Sequence, residues 1–296
     1  MHQSVLAYGR SRYLWVALAI CAASLGAYVL DAPGVPPNGG TWLGYTLGTV
    51  GAVLILWLMS FGLRKRAYAS RAGTVQGWLS AHIYLGVSLL VVVTLHTGFQ
   101  VGWNVHTLAY VLLWIVVASG LFGVWVYLRY PRLLSSNRGS QTRDQLLSDL
   151  ADLDARCLRV TAGMPPEFGE ALLANRDRTL LGGTAFALLA GQDRSQILLP
   201  ATGGAAVVYQ ALPNPDQAAL LDWLGRCLAA SSDGGLSRHL QELLSLVGAR
   251  RTLLVRLRRD AQLKAWLEVW LYVHVPLSFG LLAALIAHVV SVFIYW

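Results

Sequence analysis

Residues 81–96 read AHIYLGVSLLVVVTLH, and residues 273–288 read VHVPLSFGLLAALIAH. Each run contains no Asp, Glu, Lys or Arg, yet each holds two histidines with thirteen residues between them, His82 and His96 in the first and His274 and His288 in the second. On an α-helix, fourteen steps of about 100° bring the second histidine back to within about 40° of the first, and carry it about 21 Å along the axis. Each run therefore predicts a helix that shows two imidazoles on one face at two depths. An ionisable side chain in a membrane helix is costly, faces the bundle interior, and marks a functional site unless shown otherwise.

Working outward, five stretches approach or exceed the roughly 20 apolar residues that cross hydrocarbon: 13–30, 42–63, 78–101, 107–127 and 266–295. Across 296 residues only 13% are charged and 55% are hydrophobic, and the mean hydropathy is +0.52, a membrane profile rather than that of a soluble domain. The expected fold is all-α: a five-helix transmembrane bundle with a mainly helical cytoplasmic insertion between the fourth and fifth spans. Residues 1–130 would carry the first four spans, 131–263 the insertion and 264–296 the last span. The N-terminal span lacks a clean small-residue cleavage site and reads as a retained helix rather than a signal peptide.

Orientation follows from the basic residues, which cytoplasmic flanks retain. Arg10 and Arg12 precede the first span, Arg64, Lys65, Arg66 and Arg71 lie between the second and third, and every other Lys or Arg lies between Arg129 and Lys264. The opposite flanks have none, so the N-terminus and insertion are expected in the cytoplasm and the C-terminus outside, in a bacterial inner membrane. The same distribution accounts for the net charge of +8 and argues against nucleic-acid binding, because no basic patch is interleaved with aromatics. Cys21, Cys157 and Cys227 are far apart with no metal-ligand spacing. The glycine pairs beginning at 182, 203 and 234 lack the context of a phosphate-binding loop.

Within the insertion, Leu146, Leu147, Leu150, Leu153, Cys157 and Leu158 form one helical stripe. Asn214-Pro215-Asp216 predicts an N-cap and first turn for a helix through Leu228. Residues 196–199 and 205–209 predict a short hairpin. From Leu236 the pattern is helical, with a break expected near Gly248, and runs into the last span.

One crossing separates the two histidine helices, so they run in the same direction, and His82 shares a depth with His274 and His96 with His288. Paired imidazoles at two depths are what two six-coordinate haems require. Closed axial positions favour outer-sphere electron transfer over small-molecule chemistry at iron. Arg64, Arg66, Arg71 and His106 are candidate propionate contacts, with His106 alternatively at a quinone headgroup or a plain interfacial residue. Gly86, Gly98, Ser119, Gly120 and Gly123 would let a macrocycle or a helix come close. Gly44 and Gly48 form a G-x-x-x-G packing pair, and Pro276 removes a helix hydrogen bond near His274.

These two H-x13-H pairs on alternate helices, over 78–130 and 266–296, resemble the membrane core of the ferric reductase-like cytochrome b family, which includes the transmembrane part of NADPH oxidases. The resemblance implies two haem b groups, one between His82 and His274 toward the inside and one between His96 and His288 toward the outside. Reductases of that family carry a flavin and nicotinamide domain after the last helix, and the insertion here has no such fingerprint. The expectation is an electron-transfer subunit of a complex, which meets a cytoplasmic flavoprotein or iron–sulfur protein at the insertion and a cytochrome c or quinone outside. Two other readings remain: quinol oxidation at the outer face near Trp103, Asn104 and His106, and a transporter whose histidines bind a metal ion or relay protons.

Overall fold

The computed structural model describes residues 5–31, 38–67, 73–200 and 208–294. Arg71, His2, Trp296 and the 205–207 part of the expected second strand lie outside the described residues. The chain is almost wholly helical: α1 Arg12–Leu30, α2 Trp42–Arg66, α3 Val75–Thr97, α4 Val105–Arg138, α5 Arg143–Thr161, α6 Pro166–Asp177, α7 Ala185–Leu189, β1 Gln196–Pro200, β2 Tyr209–Pro213, α8 Ala218–Ala230 and α9 Gly234–Ile294. Five helices are long and apolar enough to cross a membrane: α1, α2, α3, the one that begins at Val105 and the one that ends at Ile294. Two compact units form, residues 1–126 with 269–296, and residues 127–268.

In the first unit α3 packs against α1 and α2. Thr41 and Thr74 cap α2 and α3 by accepting the amides of Gly44 and Gly77, both at 3.1 Å. Gly98 ends α3 in the left-handed conformation, φ 55°, where glycine carries no Cβ penalty. The core of this unit includes Ile55 and Leu58 of α2, Ala81, Leu85 and Leu89 of α3, Leu113 of α4 and Leu281 of α9. Large apolar side chains stay exposed on these helices, as on Trp15, Leu30, Val53 and Phe293.

The second unit has its own core, from Cys157, Phe168, Leu172, Ile197, Leu199, Leu220, Trp223, Leu224 and Leu240 through Val247. α5 opens on a reciprocal Thr142 and Gln145 capping box. Its expected stripe buries Leu146, Leu150 and Cys157, while Leu147 stays exposed. Among the described residues the second strand of the hairpin is Tyr209–Pro213, which runs on past the expected end at residue 209. Burial of Ile197 and Leu199, together with the Asn214 amide donating to the Ser195 carbonyl at 2.8 Å, fixes the register with Gln196 opposite Pro213.

Asn214 does not cap a helix at Pro215. Its amide nitrogen donates to Asn175 Oδ1 at 2.8 Å and its oxygen accepts from the Leu220 amide at 3.3 Å. Residues Pro215–Gln217 form a 3-10 turn, and α8 starts at Ala218. Gly248 does not interrupt α9, because Leu243, Leu246, Val247 and Arg250 around it are buried. Pro131 likewise lies inside α4, which continues to Arg138. There Arg138 forks onto both oxygens of buried Asp260, and Asn137 donates to the Arg256 carbonyl at 2.8 Å.

Polar anchors hold α9 within the second unit. The Arg250 side chain is only 2% exposed, and its guanidinium bonds Asp154 at 2.6 Å, Gln217 at 2.7 Å and Thr179 at 3.2 Å. Arg258 bonds Asp193 at 2.7 Å and Asp216 at 3.3 Å. Removal of one partner from a buried ion pair leaves the other charge uncompensated. Arg250→Met is expected to cost this unit about 3–5 kcal/mol, measured by chemical denaturation of the detergent-solubilised protein.

Burial, and then the neighbouring Asp154 charge, pushes the Cys157 thiol up to about 11. A raised thiol pKa keeps the neutral, unreactive form dominant below that pH. Iodoacetamide at pH 8 should leave Cys157 unmodified in the folded protein and alkylate it after unfolding, read by peptide mass spectrometry.

Candidate functional site

All four span histidines use Nδ1, and each finds its partner on the neighbouring antiparallel helix. His82 Nδ1 lies 3.2 Å from the Leu58 carbonyl and His96 Nδ1 lies 2.7 Å from the Gly44 carbonyl. A carbonyl oxygen only accepts, so Nδ1 carries the proton in both rings and Nε2 keeps its lone pair. Gly44 and Leu58 are fourteen residues apart, as are His96 and His82. Constant antiparallel register between α2 and α3 delivers both acceptors at once.

The α4 and α9 pair repeats this arrangement with side chains as partners. His274 Nδ1 lies 2.8 Å from Ser119 Oγ. That hydroxyl donates its own proton to the Val116 carbonyl at 2.7 Å, so it accepts from the imidazole. At the other end His288 Nδ1 meets His106 Nδ1 in a short hydrogen bond, with the ring planes at 87° and their centres 4.5 Å apart.

α3 and α9 bring one imidazole each together at one level, where the His96 and His288 ring centres are 6.0 Å apart. Between these levels is an apolar layer. Leu89 is halfway from His82 to His96, Leu281 halfway from His274 to His288, and both join Leu113 of α4 in one core cluster. They are 1%, 5% and 2% exposed.

Small residues seat the rings. A Cβ on Gly48 would lie 2.7 Å from His96 Cε1 and 2.9 Å from its Nδ1, so the G-x-x-x-G pair does more than pack helices: Gly44 offers the carbonyl and Gly48 clears the ring. On α4, a Cβ on Gly120 would reach His274 Cε1 at 3.4 Å, and one on Gly123 would collide with the Trp270 indole. That indole donates to the Ser119 carbonyl at 2.7 Å and lies 5.4 Å from the His274 ring. Gly86, by contrast, faces open space. Pro276 is accommodated in an unbroken α9, where Ser278 Oγ donates to the His274 carbonyl at 2.8 Å.

No family model, curated protein or solved structure matches this chain. Among the described residues no group of three or more His, Cys, Asp or Glu side chains could hold a metal ion. Of the expected propionate contacts, Arg64 donates to the carbonyls of Ala67 at 3.1 Å and Gly73 at 2.5 Å. Arg66 is exposed. His106 turns to His288 rather than standing as a free interfacial residue. Of the outer-face trio considered for a quinone, Asn104 is occupied as the α4 cap, its Oδ1 accepting the Thr107 amide at 2.9 Å. Trp103 is fully exposed.

The two α2 carbonyls, and the acceptor role of Ser119, which the sequence offered only as a small residue, are the partners that sequence reasoning passed over. The Gly48 seat is directly testable. Gly48→Ala is expected to displace the His96 ring and destabilise the first unit by about 1–3 kcal/mol. Gly62→Ala on the same helix, with nothing within 4 Å of the added Cβ, should be near neutral by thermal melting in detergent.

Proposed function

We propose that this protein is a dihaem b-type cytochrome of the bacterial cytoplasmic membrane, similar in its core to ferric reductase-like cytochromes b, that carries electrons between partners on the two sides. On this reading His82 and His274 hold the inner haem, and His96 and His288 the outer one. The observation that carries it is the doubling: at each of two levels an imidazole from α3 and one from α9 have Nδ1 engaged by a neighbouring helix. A metal-binding histidine shows this same pattern, with one ring nitrogen held by an outer partner and the other left for the metal.

Two imidazoles on opposite sides of one metal ion, at about 2 Å per bond, have ring centres roughly 6 Å apart. The 6.0 Å separation of His96 and His288 fits that spacing. Between two imidazoles an iron porphyrin supplies reversible one-electron chemistry with both axial positions closed. The protein's part is to fix the ligand tautomers, to leave room beside Gly86 on α3, and to keep water out with the Leu89, Leu113 and Leu281 layer.

An alternative role as helix glue explains less. Interhelical hydrogen bonds in membranes are worth about 0.6–2 kcal/mol each, which serine supplies as readily, and serine offers no spare imidazole nitrogen. A transporter site is disfavoured because ligands of one ion must converge, whereas these pairs are stacked about four helical turns apart.

Orientation on this reading follows the basic residues, with the N-terminus and the 127–268 unit in the cytoplasm. A flavoprotein or iron–sulfur protein would meet that unit, and a cytochrome c or quinone would meet the outer level. Reduced-minus-oxidised spectra of the purified protein should show b-type bands with two haems per chain. His82→Ala or His274→Ala should remove one haem, and His96→Ala or His288→Ala the other. Absence of b-type bands, or two haems retained in all four variants, would sink the proposal.

A further inference from the structure

The four Nδ1 partners are not equivalent. Three are oxygens: the carbonyls of Leu58 and Gly44, and the Ser119 hydroxyl. The fourth is a nitrogen of an imidazole, His106, whose Nδ1 faces His288 Nδ1. A neutral imidazole nitrogen accepts a proton far more readily than an amide carbonyl or a hydroxyl, and a stronger acceptor behind a ligating histidine raises that ligand's basicity.

We infer that His106 is the positioning residue of the outer haem: its Nδ1 accepts the Nδ1–H of His288, which selects the tautomer that ligates through Nε2 and makes that ligand the most electron-rich of the four. The inference rests on the dihaem reading above. Its geometric basis is a ring held in place before any cofactor is considered. His106 is the second residue of α4, directly after Val105. Asn104 Oδ1 caps the Thr107 amide at 2.9 Å, and Thr107 Oγ1 accepts the Gly102 amide at 2.9 Å. This doubly fastened first turn aims the imidazole at α9, and the perpendicular ring planes set the two Nδ1 atoms against each other. Only one of the two can donate, and the donor must be His288 if its Nε2 is to bind iron.

A more basic axial ligand favours ferric over ferrous iron, so second-shell hydrogen bonding is one of the protein's levers on haem potential. His106 should hold the outer haem at a lower potential than an oxygen acceptor would. The test uses the full-length, haem-loaded protein and compares wild type, His106→Phe and His106→Asn by redox titration and by electron paramagnetic resonance of the ferric state. The outer signal is assigned as the one lost in His96→Ala.

His106→Phe is expected to raise the outer midpoint potential and shift the outer g-values, while the inner haem keeps both. His106→Asn, whose amide oxygen can accept, should restore the g-values most of the way. Loss of the outer haem in His106→Phe with retention in His106→Asn also counts in favour, because acceptance of the proton is what separates these variants. The inference is overturned by an unchanged outer haem in His106→Phe, by a potential shift with unchanged g-values, by equal shifts at both haems, or by loss of the outer haem in both variants. A wild-type protein without haem is a different failure, that of the dihaem reading, and is seen before any variant is compared.

Discussion

An imidazole inside a membrane helix has an N–H that hydrocarbon cannot solvate, and an unsatisfied polar group there costs several kcal/mol. The first unit is arranged around meeting that need four times. α2 offers carbonyls at Gly44 and Leu58 to α3, and α4 offers His106 and Ser119 to α9. Gly44 and Leu58 share the fourteen-residue spacing of His96 and His82, so slippage of α2 against α3 by one turn would leave two imidazole N–H groups without acceptors at once. Register and site are thus one constraint.

The same periodicity produces the layer between the levels. Seven residues on from each first histidine, about two helical turns, the same helix face returns with leucine: Leu89 on α3 and Leu281 on α9, and these pack with Leu113 of α4. On α2 the equivalent midpoint between Gly44 and Leu58 is Gly51, where a Cβ would come within 3.1 Å of Val93. A small residue on α2 opposite a large one on α3 lets the helices approach closely enough for backbone carbonyls to reach the imidazoles. The apolar layer and the hydrogen bonds therefore depend on one another: closer helices shorten both.

Much of this was legible from spacing alone. The five apolar helices and the approach of His96 to His288 follow from hydropathy and from the 3.6-residue turn. The α2 acceptors were not legible, because a backbone carbonyl has no side-chain signature, and only the helix register reveals which one faces a ring. Gly48 was visible as a packing residue, but its contact with His96 needed the structure. In the second unit the errors share a cause. The second strand was expected to end at residue 209, and the α8 start was placed on Asn214, by local preference. Burial of Ile197 and Leu199 and capture of Asn214 by Asn175 overrode both. Gly248 was read as a break on the same local grounds, yet the anchor at Arg250 holds the helix through it.

The two histidine helices differ in a way that matters for function. α3 takes both its acceptors from a backbone, so substitution of α2 side chains changes the tilt or closeness of His82 and His96 but not the chemistry of what they donate to. α9 takes its acceptors from side chains, a hydroxyl at one level and an imidazole at the other. On the proposed dihaem reading, ligand strength at His274 and His288 could therefore be altered one level at a time by single substitutions on α4, with all four histidines left in place. A two-step electron path needs its two centres at different potentials to have a preferred direction, and on that reading the residues free to set the difference without disturbing the ligands would be Ser119 and His106.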